Sequence, residues 1–280
     1  GREIWKHDLE TGAPSKRGVG YWPGTGTSPA RILLTSGRRL IALNAATGQL
    51  VSEFGSGGVA DMGQVYNGSP TVYRNLVLVG TNTSPGAVRG FDARTGVKVW
   101  EFRSVPQEAE AIGFETWEGG SWKDHSGAIS WAFSMTIDPQ RNTLYAVFDS
   151  PTPDYYGGDR HGDNLFANSI VALDAESGAY KWHFQTTHHD LWDYDIPAPP
   201  TLLDVMISGR STPILAVAHK TGYMYILNRD DGTPVFGIEE QPVPGSDVPG
   251  ERASPTQPIP IKPGPIARVS YRADEIVTAA

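Results

Sequence analysis

The chain has 280 residues and a formal net charge of −8. The acidic balance and the absence of a long basic run argue against nucleic acid or an anionic membrane as the main partner. The sequence contains no cysteine, which excludes disulfides and thiolate chemistry. No apolar run approaches the roughly 18–20 residues of a membrane span, and no signal peptide is present. Because the chain starts inside a repeat at Gly1, we expect a leader or membrane anchor to lie outside it.

The distribution of apolar residues predicts an all-β fold. Hydrophobic residues make up 39% of the chain and include 8 Trp, 11 Tyr and 9 Phe, enough to form a sizeable core. The 32 Gly and 22 Pro imply many turns. Short β-branched or aromatic runs stand between clusters of Gly, Pro, Asn and Asp, and no long stretch has the 3.6-residue period of a helix.

A short repeat recurs along the chain. In its full form, Asp or Asn begins a turn that ends at Gly, and Trp follows four residues later. Such a unit predicts a β-hairpin, because Gly tolerates positive φ in the turn and the returning aromatic fills the gap between sheets. The copies read GREIW at 1–5, ALNAATGQLVSEF at 42–54, GFDARTGVKVWEF at 90–102, ALDAESGAYKWHF at 172–184 and LNRDDGTPVF at 227–236.

The spacing of the turn glycines predicts a β-propeller. They lie 47, 48, 82 and 54 residues apart, close to the ~40–50 residues of a propeller blade except at the third interval. We therefore predict four to five blades over residues 1–240, with an insertion of about thirty residues near 103–130. Propellers usually close with more blades. The Pro-rich segment 241–280 shows no hairpin repeat and is predicted to be an extended connection leading to further blades.

The segment HHDLWDYD at 188–195 places five ionisable side chains in eight positions, after a predicted strand. His and carboxylate ligands suit Zn or Fe, whereas carboxylate and amide oxygens alone suit Ca²⁺. A carboxylate beside Trp192 and Tyr194 also suits a general base, since a dry environment raises its proton affinity. A third interpretation is structural, with the side chains bonding the loop backbone. The residues alone leave all three open.

This segment, followed by PAP at 197–199, closely resembles the quinoprotein dehydrogenases, eight-bladed superbarrel enzymes that use pyrroloquinoline quinone (PQQ). The resemblance is nearest to the membrane-type glucose dehydrogenase branch and its soluble relatives, and it spans most of the chain in family order. The other matching stretches are RGVGYWPG at 17–24, RLIALNAATG at 39–48, VRGFD at 88–92, TWEGGSW at 116–122, YYGGDR at 155–160 and HKTGYMYILNR at 219–229.

The resemblance implies a role for several residues. Asp193 matches the general base, and Lys220 matches the cation that bonds the quinone carbonyls. Trp131 matches the tryptophan beneath the flat cofactor, Arg17 an arginine that binds one of its carboxylates, and Asn67 another cofactor-binding position. These roles make chemical sense: a planar quinone stacks on an aromatic ring, a cation stabilises a developing oxyanion, and a carboxylate takes the alcohol proton.

The resemblance also implies a calcium ion held by oxygen ligands. Asp193 is one, and Ser150 stands in the place of a family asparagine, with Asp149 beside it. Asn82 matches an asparagine of the glucose-type branch, while Pro85 stands where alcohol-type enzymes carry Glu. All four candidate ligands are hard oxygen donors suited to Ca²⁺.

The sequence departs from the family pattern at two places. The paired cysteines of some alcohol-type relatives are absent, as is the glucose-branch histidine, whose place falls near Ala13; this argues against glucose as the substrate. The resemblance implies a sugar or alcohol substrate, a quinone or cytochrome electron acceptor, and a periplasmic location.

Two other functions compete with a dehydrogenase. One is a non-catalytic propeller of the same repeats, either a scaffold or a degenerate or truncated quinoprotein, but a scaffold has no need for the segment 188–195. The other is a His/Asp metallohydrolase, which would require a further ligand cluster. His7, His125, His161 and His183 show no recognisable metal-binding spacing.

Overall fold

The structure is a computed structural model that describes residues 1–125, 127–130 and 135–275. Its regular elements are β-strands and three short 3₁₀ helices, at Phe114–Thr116, Glu118–Lys123 and Ala273–Glu275. The all-β prediction is confirmed. None of the helices in these ranges is long and apolar enough to cross a membrane.

The strands form successive antiparallel sheets, each built from consecutive strands in chain order. The first sheet contains β1 (Gly20–Trp22), β2 (Arg31–Ser36), β3 (Arg39–Asn44) and β4 (Val59–Asp61). The second contains β5 (Thr71–Tyr73), β6 (Leu76–Val79), β7 (Ala87–Asp92) and β8 (Lys98–Arg103). The third contains β9 (Met135–Asp138), β10 (Thr143–Val147), β11 (Ser169–Asp174) and β12 (Tyr180–Gln185).

Two smaller sheets follow. The fourth has three strands, β13 (Thr201–Ile207), β14 (Arg210–Ala218) and β15 (Met224–Asn228). The last is a pair, β16 (Ile238–Pro242) and β17 (Thr256–Pro260), with Glu240 opposite Pro258. This pairing lies partly inside the Pro-rich segment, where the sequence showed no hairpin. Proline is compatible with such a strand because, among the described residues, neither partner has another strand on its outer edge.

The core lies between neighbouring sheets, as the alternation of side chains along each strand requires. In β6, Leu76 and Leu78 pack toward the third sheet, whereas Val77 and Val79 pack toward the first. In β10, alternate residues likewise face the second and the fourth sheets. Both faces of these strands are therefore buried, which explains their continuous apolar runs.

The repeat aromatics join one sheet to the next. Trp5, Trp100 and Trp182 lie against the turn glycines Gly48, Gly178 and Gly232 of the following sheet, so closely that an added methyl group would come within 2.4–2.5 Å of each ring. Phe54 similarly lies near Gly96. Each turn glycine thus has two functions: it adopts positive φ, and it leaves room for the aromatic ring.

Two of the predicted return strands are irregular. The hairpins β7–β8 and β11–β12 form as predicted. After β3 and β15, however, the returning chain makes only the isolated bridges Leu43–Leu50 and Leu227–Pro234. Pro234 has no N–H to donate to a ladder, and β4 takes the place beside β3.

Two long connections flank β9 and β10. Residues 104–134 join β8 to β9 and contain the first two 3₁₀ helices, and residues 148–168 join β10 to β11. The long third interval between turn glycines therefore contains two extended connections in the structure. The connection from β10 to β11 contributes several residues to the site described below, and Ile129 of the other connection also lines it.

We expect Gly178→Ala to lower the free energy of unfolding by about 3 kcal/mol. About 1–2 kcal/mol comes from left-handed backbone at a non-glycine residue, and the rest from displacing Trp100. Gly209→Ala is the matched control, because Gly209 also has positive φ but no atom within 4 Å of an added Cβ. Urea unfolding of both variants measures the difference; equal losses would show that the ring contact is unimportant.

Candidate active site

A cavity of about 480 Å³ lies where the loop after β12 meets the loops after β6, β10 and β14. Five residues predicted from the sequence line it together: Asn82, Asp149, Ser150, Asp193 and Lys220. Asp195, Asp154 and Thr152 also line it. The cavity thus combines four carboxylates with one lysine, and its lining is strongly acidic.

Lys220 connects two of these carboxylates. Its Nζ donates to Asp193 Oδ2 at 3.0 Å and to Asp195 Oδ2 at 2.5 Å. Burial works to lower the pKa of Lys220, but these two hydrogen bonds and the two negative charges outweigh it and raise the pKa above its usual value. Lys220 is therefore a donor beside Asp193 that is charged at neutral pH.

Asp149 is the most isolated acid of the cavity. It is 3% exposed, and neither of its carboxylate oxygens has a hydrogen-bond partner among the described residues. Burial, followed by repulsion from Asp195, raises its pKa well above the usual value. A buried acceptor without a donor is costly unless a cation or another group satisfies it.

Asp190 shapes the loop that presents Asp193. One carboxylate oxygen accepts from Trp192 N at 2.9 Å, and the other accepts from Tyr194 N at 2.7 Å, Ser150 Oγ at 2.5 Å and Asn168 Nδ2 at 2.9 Å. Burial raises the pKa of Asp190, while these donors oppose the rise. Asp190 therefore holds the turn between Trp192 and Tyr194 in place.

The rings of the two histidines bond other parts of the chain, His189 at the backbone and His188 at a side chain. His189 Nδ1 lies 2.7 Å from Gly162 O, and His188 Nδ1 lies 2.7 Å from Gln185 Oε1. Beneath them, the fully buried Arg160 donates to Asp190 O at 2.7 Å and to Pro153 O at 3.1 Å. The histidines therefore help to position the loop. Within residues 1–125, 127–130 and 135–275, no three His or acidic side chains form a group that would hold a metal by themselves.

Asp193 has a left-handed backbone, with φ of 62°. Aspartate tolerates this conformation better than most residues. Its carboxylate faces Lys220, and Tyr155 OH donates to the same Oδ2 at 3.2 Å. Trp192 and Tyr194 instead stack on each other, with ring centroids 5.5 Å apart and planes inclined by 27°. The residues on either side of Asp193 thus have a different environment from its own.

The other predicted cofactor residues differ in position. Asn67 is exposed and donates its backbone N–H to Asn82 Oδ1 at 2.5 Å, which places it at the edge of the cavity. Ser15 Oγ donates to Asn67 O at 2.5 Å and brings the N-terminal segment alongside. Arg17 is exposed and is not among the described lining residues. Trp131, the predicted floor of the cofactor site, lies outside the described residues.

Asp195, Asp154 and Tyr155 were not predicted as site residues. The signal for Asp195 was its i+2 spacing from Asp193, which in a non-helical segment can place two side chains on one side. Asp195 Oδ1 also accepts from Ser150 N at 2.9 Å, so it joins the loop after β10 to Lys220. Tyr155 and Asp154 reach the site through the fold of a long connection. Tyr155 begins the matching stretch 155–160, but that stretch implied no role for it.

His219, next to Lys220, allows a pH test of the packing beneath the site. It is 5% exposed and bonds Thr221 Oγ1 at 2.7 Å and Thr186 Oγ1 at 3.1 Å. Burial lowers its pKa to about 3. Below the usual histidine pKa of ~6.5 the unfolded chain binds the proton and the folded chain does not, so this residue makes the protein less stable as pH falls.

We expect the free energy of unfolding of the unmodified protein, relative to a His219→Gln variant, to fall by about 2 kcal/mol between pH 7 and pH 5. Glutamine keeps an amide donor and acceptor but does not titrate. The comparison with the variant cancels the opposite effect of Asp149 and Asp190, whose pKa values are raised. Urea unfolding at both pH values measures the difference, and parallel pH curves would contradict a neutral buried His219.

Known proteins are similar to this chain in sequence and in fold. The family model described as PQQ, glucose/ethanol/alcohol dehydrogenase, beta-propeller domain, matches residues 1–280. The quinate/shikimate dehydrogenase (quinone) of Acinetobacter baylyi is 30% identical over 92% of the chain, which covers 37% of that relative. The quinoprotein glucose dehydrogenase of Escherichia coli is 31% identical over 92% of the chain, covering 36% of the relative. The chain thus spans little more than a third of these two relatives.

Solved structures of PQQ dehydrogenases are also similar to this chain. The quinohemoprotein alcohol dehydrogenase from Comamonas testosteroni superposes with a TM-score of 0.72 at 29% identity, over 94% of this chain and 42% of that one. A europium-containing methanol dehydrogenase superposes with a TM-score of 0.65 at 26% identity, over 87% and 44% of the two chains. The propeller prediction is confirmed, and the chain belongs to the β-propeller family of PQQ-dependent glucose, ethanol and alcohol dehydrogenases.

Proposed function

We propose that this chain supplies the base, the polarising cation and the metal ligands of a PQQ- and Ca²⁺-dependent dehydrogenase that oxidises a sugar or alcohol hydroxyl. The observation that carries the proposal is the position of Lys220, which bonds Asp193 and Asp195 in one acidic cavity. The relatives are dehydrogenases of glucose, quinate or alcohols. The proposed setting is the periplasm.

The donor set of the cavity fits calcium. Asp149 offers two buried, unpaired carboxylate oxygens, and Asp193, Ser150 and Asn82 contribute further oxygens at the same cavity. Calcium takes six to eight such ligands and accepts irregular geometry. A divalent cation would also favour the ionised form of Asp149, reversing the effect of its burial. We propose that Asn82, Asp149, Ser150 and Asp193, together with cofactor oxygens, hold the ion.

We propose that the same cavity holds PQQ beside a general base, with the calcium ion and Lys220 offsetting the repulsion between the cofactor carboxylates and the acidic lining. Bound PQQ would supply the electron-accepting carbonyl. Lys220 would donate hydrogen bonds to carbonyl oxygen and stabilise negative charge that develops there. Asp193 would take the hydroxyl proton of the substrate at a carboxylate oxygen, with Tyr155 OH as a second donor that orients it. Asn67, Arg17 and Trp131 remain proposed cofactor contacts.

The alternative of a non-catalytic propeller offers no reason for this arrangement. A scaffold gains nothing from Asp149, whose carboxylate is buried without a partner. A uniformly structural role also does not account for a lysine and four carboxylates meeting at an open cavity. Convergence of perturbed ionisable groups in a cleft favours a catalytic site.

We expect Asp193→Asn to reduce dye reduction about 10²–10⁴-fold in the full-length enzyme reconstituted with PQQ and Ca²⁺, because asparagine cannot accept the hydroxyl proton. PQQ binding, followed by the absorbance of the bound quinone, should persist. The exposed Asp247→Asn is the control and should keep full activity. Unchanged turnover in Asp193→Asn would remove Asp193 from the base role.

We expect Asp149→Asn to weaken calcium binding about tenfold or more, since it removes a charged ligand. Asp154→Asn is the matched control, because it removes the same charge from the same cavity without removing a proposed ligand. Calorimetric titration of Ca²⁺ into chelator-stripped, PQQ-loaded enzyme measures both. Equal losses in the two variants would mean that the cavity attracts the ion only through its overall charge.

A further inference from the structure

A second cavity, of about 350 Å³, lies on the other side of the loop that carries Asp193. Its lining combines the rings of Trp192, Tyr194 and Tyr223 with the apolar side chains of Val243 and Ile259. None of the described residues that line it carries a charge. It therefore differs in kind from the acidic cavity beside it.

The loop and the C-terminal hairpin build this cavity together. Gln257 on β17 accepts from His188 N at 2.8 Å and donates to His188 O at 2.7 Å, which fixes the hairpin against the loop. The later segment closes another side, where Ile266 N donates to Gly222 O at 2.8 Å. The cavity is thus part of the tertiary fold, with walls from four parts of the chain: the loop after β12, residues 221–225, the hairpin of β16 and β17, and the segment after it.

Asp193 and its two neighbours separate the cavities. Asp193 lines the acidic one, while Trp192 and Tyr194 line the uncharged one and stack on each other. Trp192, in the loop that carries Asp193, is 37% exposed, which is a large exposed area for an aromatic ring. The indole N–H of Trp192 and the hydroxyl of Tyr223 have no hydrogen-bond partner within the described chain.

We propose that this cavity binds the electron acceptor, an uncharged planar quinone ring. Aromatic faces stack on a flat ring, apolar walls favour an uncharged molecule, and the free N–H and O–H groups suit carbonyl oxygens. The inference rests on the proposed dehydrogenase function. The relative from Acinetobacter baylyi is named as a quinone-dependent enzyme, which supports the choice of acceptor.

The reaction requires two organic substrates, the alcohol and the electron acceptor, and each of the two cavities is suited to one of them. The alcohol must reach Asp193 to transfer its proton, so it occupies the acidic cavity. Its oxidation to a carbonyl compound releases two electrons and two protons, which the reduced cofactor must pass on. A quinone ring takes up two electrons and two protons at its carbonyl oxygens and leaves as the quinol. The uncharged cavity is the neighbouring site suited to that ring.

Two substitutions test the site in the full-length enzyme loaded with PQQ and Ca²⁺. Ile259→Trp fills the cavity, and Tyr223→Leu removes a ring from it. With a short-chain benzoquinone as acceptor, each should raise the acceptor KM about tenfold, equivalent to about 1.4 kcal/mol. With ferricyanide, a charged oxidant, kcat and the alcohol KM should stay within about twofold. Ile261→Trp, on an exposed side chain just beyond the same hairpin, is the control.

A rise in the alcohol KM with an unchanged quinone KM would overturn the inference and assign the cavity to the substrate. An unchanged quinone KM in both variants would also overturn it. That is the result expected if a chain segment from outside the structure fills the cavity. Failure of the proposed function gives a different result, namely no ferricyanide reduction by the unmodified enzyme.

A binding measurement tests the site without turnover. Titrating the short-chain benzoquinone into the enzyme without PQQ should quench tryptophan fluorescence saturably, because the ring lies against Trp192. Trp192→Phe should lose the saturable component, and Tyr223→Leu should shift its midpoint about tenfold to higher quinone. A purely linear quench, equal in all three proteins, would overturn the proposal.

Discussion

The arrangement of the site depends on the buried carboxylate of Asp190. It accepts hydrogen bonds from two backbone N–H groups of its own loop and from two side chains of the connection between β10 and β11. A buried carboxylate is stable only when several donors reach it, so the donors and the acid fix one another. The left-handed residue Asp193 lies between the two bonded N–H groups, and its direction follows from this bonding. The acidic cavity on one side and the aromatic rings on the other are consequences of the same turn.

The sheets give this loop a rigid base. Strands such as β6 and β10 are buried on both faces, and an aromatic ring from each of the first three sheets lies on a turn glycine of the next sheet. Each ring fits only above a residue that has no side chain. The rings therefore fix the position of one sheet against the next. The long connections can therefore cross the ends of the strands and bring distant residues together without disturbing the core.

Much of the fold could be predicted from the sequence, because the repeat is local. The spacing of Asp or Asn, Gly and Trp defines a hairpin over about a dozen residues, and the structure contains these hairpins at Gly96 and Gly178. The pairing of β16 with β17 could not be predicted, since it joins segments separated by a long loop and rich in proline. The irregular return after β15 had a visible cause in Pro234, but the pattern of the repeat outweighed it.

The site was predictable to the extent that the resemblance gave a register. Asp193, Lys220, Asp149, Ser150 and Asn82 meet at one cavity, although they come from four loops. The role of Asp195 as a second partner of Lys220 depends on a distance that no spacing rule supplies. Tyr155 reaches Asp193 only because a connection of some twenty residues folds back over the loop. Side-chain contacts of this kind depend on tertiary structure and have no signature in the local sequence.

The contact between His188 and Gln257 has a consequence for how the protein is made. The two residues are 69 positions apart, so the loop acquires its final support only when the hairpin of β16 and β17 has formed and docked. During synthesis the sheets up to β15 leave the ribosome first and can pack in sequence, since domains and repeats fold as the chain emerges. The site is then completed as a late step, after the part of the chain that carries its charged residues has already folded.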